Sequence, residues 1–306
     1  MGVVDKVIAG AVPAIPRPVV RRISNQYIAG ERLEDAVSTI KELNASGCAA
    51  TVDLLGETTL DPGEAAKKTA HYERILDELD RQSLDSGLSV KLTGLGLLFD
   101  KDLCRENLRE IVSHAAERGR FVRVDMEDSA CTGDTLHLVH ELHEEYENTG
   151  AVVQAYMRRS LEDVGDLVRA GITARVCKGI YDEPREVAYK DFDTVRESYA
   201  ALVEKFLRGG VYVGIATHDE HLVYRSLRLI HELDVPKTRY EFQMLLGVDE
   251  QLQRILVEGG HRVRVYVPFG KDWYEYSTRR LKENPKIAGY VAKDVIGRFT
   301  ERARAL

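Results

Sequence analysis

Eight short β-rich runs, separated for the most part by segments of helical period, set the limits on what this chain can fold into. They are Ala49–Leu54, Leu88–Leu92, Phe121–Met126, Ala151–Tyr156, Ile172–Cys177, Val211–Thr217, Tyr240–Met244 and His261–Val267. Asp61-Pro62-Gly63-Glu64 places an N-cap acid, a first-turn proline and an early carboxylate at the head of a helix running toward Gly87. Leu161–Ala170 and Val195–Leu207 run into Gly171 and Gly209, as a helix terminus prefers. Strands that alternate with helices lie parallel, and eight of them predict a single α/β chain closed as a (β/α)₈ barrel of TIM type. A doubly wound open sheet is the alternative, but no GxGxxG loop follows an early strand. Residues 1–45 read as an N-terminal helical extension, including Leu33–Asn44, packed outside a barrel of residues 46–306.

Composition narrows the class. The 306 residues are 44% hydrophobic with 24 Gly and 8 Pro, enough apolar material for a large core. A net charge of -7 opposes nonspecific nucleic-acid binding, so no nucleic-acid partner is expected. Cys48, Cys104, Cys131 and Cys177 form no CxxC pair, which points to a reducing compartment. Cys177 reads as a small buried side chain. No charged-then-apolar leader and no spanning-length apolar run are seen, so the expectation is a cytoplasmic protein.

In a barrel of this kind the chemistry gathers at the C-terminal ends of the strands. In chain order those ends carry Asp53 and Glu57, Lys91, Asp125 with Glu127 and Asp128, and Gln154 with Tyr156 and Arg158. Arg175 with Lys178 and Tyr181, Thr217-His218-Asp219, Gln243 and Tyr266 follow. A ring of charges at one mouth is hard to explain as packing, although any one of them could be a structural ion pair. His218 is also a candidate base on its chemistry. The last strand is expected to break at Pro268 and Gly270 and to give way to a helix stopped at Asn284-Pro285. On that helix Tyr276, Arg279, Arg280 and Glu283 cluster on one side, with Glu283 able to brace both arginines. Paired guanidinium groups suit a carboxylate or phosphate, whereas an exposed basic face is the plainer reading. His137, His140 and His143 lie on a glutamate-rich helical segment but define no ligand set, so no metal is assigned.

Several ordered motifs carry a resemblance. Ser-Val-Lys91-Leu-Thr, Arg-Val-Asp125-Met-Glu-Asp-Ser, Gln154-Ala-Tyr-Met-Arg-Arg, Arg175-Val-Cys-Lys-Gly-Ile-Tyr-Asp-Glu-Pro, Ala-Thr-His218-Asp, Glu-Phe-Gln243-Met-Leu and Tyr276-Ser-Thr-Arg-Arg-Leu-Lys-Glu-Asn occur in order between about Thr51 and Pro285. Together they resemble the proline dehydrogenase family in its short, monofunctional bacterial form. The resemblance implies FAD-dependent oxidation of L-proline to Δ1-pyrroline-5-carboxylate in a distorted (β/α)₈ barrel, with electrons passed to a membrane quinone. It places Lys91, Arg279 and Arg280 on the substrate carboxylate, and Tyr181, Tyr266 and Tyr276 with Leu245 around the substrate. Asp125 matches the carboxylate beside Lys91, and Arg175 the arginine near the flavin N5. Met126, Gln154, Arg175, Lys178, Gly179, Ile180, Thr217 and His218 match flavin-binding positions, and Glu283 is assigned to the same set. Where this chain has Ile180 the family more often has Ala, a change that a backbone contact survives.

The implied chemistry agrees with these residue types. Hydride loss next to a secondary amine needs a neutral amine, a fixed carboxylate and an acceptor stacked on the ring. Cations fix the carboxylate, tyrosines supply apolar walls with polar edges, and an arginine near N5 stabilises charge on the reduced ring. Flavin phosphates can be met by Lys178 and backbone amides without a Rossmann loop. Two rival classes stay open on the residues alone: a lyase or aldolase using Lys91 as a Schiff-base nucleophile, and a noncatalytic small-molecule binder. The expected partners are a quinone and a Δ1-pyrroline-5-carboxylate dehydrogenase. The apolar Val3–Val20 stretch beside Arg17, Arg21 and Arg22 is the candidate for a peripheral membrane contact, packing on the barrel being its plainer role.

Overall fold

The computed structural model describes residues 20–21, 24–56, 58–274 and 276–278. Strands β1 (Ala49–Leu54), β2 (Ser86–Val90), β3 (Val122–Val124), β4 (Thr149–Gln154), β5 (Ala174–Cys177), β6 (Val213–Ala216), β7 (Tyr240–Leu245) and β8 (Val263–Phe269) form one closed barrel in sequence order. Every neighbouring pair is parallel, and β8 closes onto β1 through Thr51 opposite Tyr266 and Asp53 opposite Pro268. Each strand falls within two residues of its expected start.

Helix α1 (Leu33–Ala45) packs Ala36, Val37 and Ile40 beside β1 and β8. Helices α2 (Pro62–Arg81), α3 (Lys101–Ala116), α4 (Ser129–His143), α5 (Ser160–Arg169), α6 (Phe192–Gly209), α7 (Glu220–Glu232) and α8 (Glu250–Glu258) fill the seven intervals between strands. All of these but α5 start at an aspartate cap: Asp61 accepts from the Glu64 amide on α2, Asp128 from Ala130 and Cys131 on α4, and Asp191 from Thr194 on α6.

The barrel wall divides the strands into two faces. One set of alternate residues (Val52, Leu88, Val90, Val124, Val153, Val176, Ile215, Phe242, Val265) is buried in the main apolar core. The other set is polar: Asp53, Ser89, Arg123, Asp125, Arg175, Glu241, Gln243 and Arg264 are all buried or nearly so. The polar side chains meet across the barrel, since Arg175 on β5 bonds groups from β2, the end of β3, and β7. The interior of this barrel is therefore charged, where branched apolar layers are usual. Stability resides in the interface between strands and helices, where burial contributes about 25 cal/mol per Å² of apolar surface. Buried ion pairs are seldom worth more than apolar residues of the same volume, so a charged interior is better explained by a site than by stability.

Three expectations are corrected. Strand β8 continues through Pro268 to Phe269. The missing donor of Pro268 falls on the β7 side, beyond the last β7–β8 pair, Leu245 opposite Tyr266. Its carbonyl accepts from the Ala29 amide there. Helix α6 runs through Gly209, and the left-handed residue is Gly210 at φ 66°. A Cβ on Gly209 would stand 2.3 Å from the Val168 side chain, so this glycine permits the close approach of α6 to α5. Cys177, expected buried, is half-exposed at the end of β5, and all four cysteines are free.

Candidate active site

Lys91 follows β2 directly, Asp125 follows β3, Arg175 is the second residue of β5, and Tyr266 lies in β8. The register brings these four together. Lys91 Nζ lies 2.8 Å from Asp53 Oδ1 and 3.7 Å from Asp125 Oδ2. The Tyr266 hydroxyl donates to Asp125 Oδ2 at 2.9 Å and stands 3.4 Å from Lys91 Nζ. Arg175 donates through Nη1 to Asp125 Oδ1 at 2.7 Å and through Nε to Gln243 Oε1 at 2.5 Å. Ser89 Oγ lies 3.0 Å from Asp125 Oδ1 and 3.4 Å from Arg175 Nη2. The Arg175 guanidinium also sits 5.2 Å from the Tyr266 ring centroid.

Burial and charge push the groups apart. Burial opposes the charge on Asp125, but Arg175, Lys91 and the Tyr266 and Ser89 hydroxyls outweigh it and hold the carboxyl below its usual range. For Asp53, complete burial together with the nearby Asp125 charge outweighs Lys91 and Tyr266 and pushes the carboxyl up. Burial would lower Lys91, yet Asp53, Tyr266 and Asp125 hold it well above the ordinary lysine range. Lys91 is thus a fixed cation. Burial with Asp125 and Asp53 nearby pushes the Tyr266 phenol up, so it stays a donor.

A second group borders this cluster at the ends of β5, β6 and β7. Lys178 Nζ pairs with Asp219 Oδ2 at 2.6 Å, and the same carboxylate receives Arg196 through Nε at 2.8 Å. Despite its burial, the Asp219 carboxyl is held down at about 2 by those two partners. Both cations face the exposed Phe192 ring, at 4.6 and 4.3 Å. Thr217 Oγ1 accepts from the Asp219 amide at 3.0 Å, and His218 Nε2 accepts from the Leu245 amide at 2.9 Å. Gln154 donates to the Glu127 carbonyl at 2.8 Å, and Met126 is buried in the core beside it. Lys178, Gly179, Ile180 and Tyr181 form a half-buried turn after β5. Gly179 is required there: its φ is 105°, and a Cβ would fall 2.0 Å from the Tyr156 ring.

Tyr276 packs with Tyr27, Ile28 and Leu55 in a small apolar cluster beside the mouth. Glu57, Arg279, Arg280, Glu283 and Val3–Val19 lie outside the described residues. Sequence reasoning did not single out Ser89, Glu241, Glu183 or Arg196. Glu183 is buried and accepts from Ser129 N at 2.6 Å and Ser129 Oγ at 2.5 Å, which ties the 178–183 turn to the start of α4. Among the described residues no three His, Cys, Asp or Glu side chains are placed to hold a metal ion.

A closed parallel barrel whose interior gathers lysine, arginine, aspartate and tyrosine side chains defines a (β/α)₈ protein with a charged candidate site inside the barrel. Comparison with known proteins narrows this. The proline dehydrogenase family profile matches residues 36–293. Proline dehydrogenase 1 of Bacillus subtilis (strain 168) is 35% identical over 273 residues, covering 89% of this chain and 90% of that protein. Proline dehydrogenase of Deinococcus radiodurans is 34% identical over 290 residues, covering 93% and 94%. The crystal structure of proline utilization A from Bdellovibrio bacteriovorus, inactivated by N-propargylglycine, superposes with a TM-score of 0.82 at 26% identity. That match covers 86% of this chain and 33% of the other, so the chain spans about a third of that protein's length. The chain belongs to the proline dehydrogenase family, in its short form.

Proposed function

We propose that this protein oxidises L-proline to Δ1-pyrroline-5-carboxylate with FAD, and that a membrane quinone takes the electrons. The observation that carries the reading is the buried Lys91–Asp125–Arg175–Tyr266 cluster, in a chain of this family. The second group fits a flavin dinucleotide by its donor set: two cations, a hydroxyl, an imidazole and an amide at adjacent strand ends. Lys178, Gly179, Ile180, Thr217, His218, Gln154 and Met126 would hold it. FAD would supply, when bound, the acceptor for the hydride, which carries both electrons lost by the proline ring.

The chain's own groups supply the rest. Lys91 is a fixed cation for the substrate carboxylate, with Arg279 and Arg280 as its partners on the reading of the sequence. Tyr266 and Tyr181 give the ring apolar faces with polar edges, with Tyr276 and Leu245 beside them. Asp125 keeps Lys91 charged and anchors Arg175 and Tyr266, so orientation is set before substrate arrives. Arg175 places positive charge where negative charge grows during oxidation. A Schiff-base role for Lys91 is disfavoured, because a nucleophilic amine must be neutral and this one is held protonated. The product would pass to a Δ1-pyrroline-5-carboxylate dehydrogenase.

The test is product analysis. Holoenzyme given L-proline and a soluble quinone should yield the cyclic imine and reduced quinone together, and D-proline should yield neither. Quinone reduction without that imine would overturn the assignment.

A further inference from the structure

Arg175 is held by three neighbours, and one of them has an orientation that is itself dictated from below. Gln243 sits on β7, two strands from Arg175, with β6 between them. The β6 residue in register with Arg175 is Gly214, which also pairs with Glu241. A Cβ on Gly214 would lie 2.4 Å from Gln243 Nε2, so the glutamine crosses β6 through space that only glycine leaves. Its Nε2 donates to Glu241 Oε1 at 2.6 Å, and its Oε1 accepts from Arg175 Nε at 2.5 Å.

The amide can face only one way. Glu241 is gripped by Arg264 Nε at 2.7 Å and Arg262 Nε at 3.3 Å, and is buried. Burial works against its charge, but Arg264 outweighs it and keeps the carboxyl below its usual range. A carboxylate only accepts and a guanidinium only donates, so a flipped amide would meet two repulsions. We propose that Gln243 is a positioning residue that fixes the plane of the Arg175 guanidinium toward the flavin N5, with Glu241 fixing Gln243. This rests on the assignment of Arg175 to the flavin. Asp125 and Ser89 hold the outer nitrogens of the same group, and Gln243 removes its remaining freedom to turn.

The experiment is a double-mutant cycle on the FAD-loaded enzyme with Arg175→Ala, Gln243→Met and the pair. Methionine matches glutamine in length and is uncharged, and Gln243→Glu serves as a second variant. Two quantities are read: the flavin midpoint potential, and flavin reduction by proline in single-turnover mixing. Gln243→Met should slow reduction by roughly tenfold, the scale of one lost charge-assisted contact, and move the potential to a more negative value. Binding of a non-oxidisable proline analogue should stay within about twofold of wild type. Gln243→Glu keeps an acceptor at Arg175 but offsets its charge, and should lower the potential further than Met does. In the Arg175→Ala background, Gln243→Met should change neither quantity. Full additivity in the pair, or no effect of Gln243→Met beside a clear effect of Arg175→Ala, overturns the proposal while leaving the assignment of Arg175 standing. If Arg175→Ala itself moves neither quantity, that assignment falls and the proposal falls with it.

Discussion

Lys91 is the residue on which the charge pattern of the site turns. It meets two carboxyl groups whose environments differ: Asp125 receives Arg175, Tyr266 and Ser89, whereas Asp53 is buried against the lysine. A cation so placed has two consequences. Borohydride treatment in the presence of proline should trap no adduct at Lys91, and a stable mass increase on that residue would restore the lyase reading. Lys91→Met should raise the Michaelis constant for proline and lower folding stability, since removing one partner of a buried pair typically costs roughly 3–5 kcal/mol. Parallel kinetics and urea unfolding check both. At this scale the sequence names the residues better than their places: Lys91 and Asp125 follow strand ends as expected, whereas Arg175 and Tyr266 lie within β5 and β8, and the four do meet. Ser89 and Glu241 are not named, because a polar residue inside a strand run shows which residues share its face but not which partner it reaches. The pairing of Arg175 with Ser89 spans β5 to β2, and only barrel closure creates it.

Elements place the site by a few rigid joints. The turn after β5 carries Lys178, Gly179, Ile180 and Tyr181, and is fastened at Glu183 to α4 and at Gly179 against Tyr156. Gly179→Ala should therefore strip FAD from an otherwise folded barrel, because both the backbone and the ring reject a Cβ. Flavin absorbance per chain after desalting measures this, and retained FAD at wild-type stoichiometry would show that the turn can shift freely. Strand boundaries were readable because apolar and polar residues alternate, a pattern that charged interior positions sharpen. Helix ends were less so. Gly209 reads as a terminus, yet it serves a close helix contact, and a sequence does not say which of two adjacent glycines turns left-handed. Pro268 reads as a strand breaker, yet it lies where β7 has already ended and no ladder bond is lost.

For the whole molecule, an apolar shell carries stability, and the buried charges gather in the interior to which the proposed chemistry is assigned. Among the described residues no helix is long and apolar enough to cross a membrane. The ion network gives the fold an acid limit. Asp219 has its carboxyl at about 2 against an ordinary 3.8, so its contribution is full above the ordinary value and fades as pH falls through that window. Asp219→Asn should be less stable than wild type at neutral pH by on the order of 1–2 kcal/mol, with the gap closing between about pH 4 and pH 2. Urea unfolding of both proteins across that range reads it out, and a gap independent of pH would place the effect in packing. The closed barrel and its order were legible from eight alternating runs, and the family from the ordered motifs. The meeting of side chains inside the barrel was not, since it depends on the register of all eight strands. The central claim, that this interior presents proline to a flavin, is tested most directly by one spectrum. The purified, FAD-loaded protein, made anaerobic and titrated with L-proline, should lose its yellow absorption band. A flavin spectrum unchanged by saturating L-proline would contradict the account.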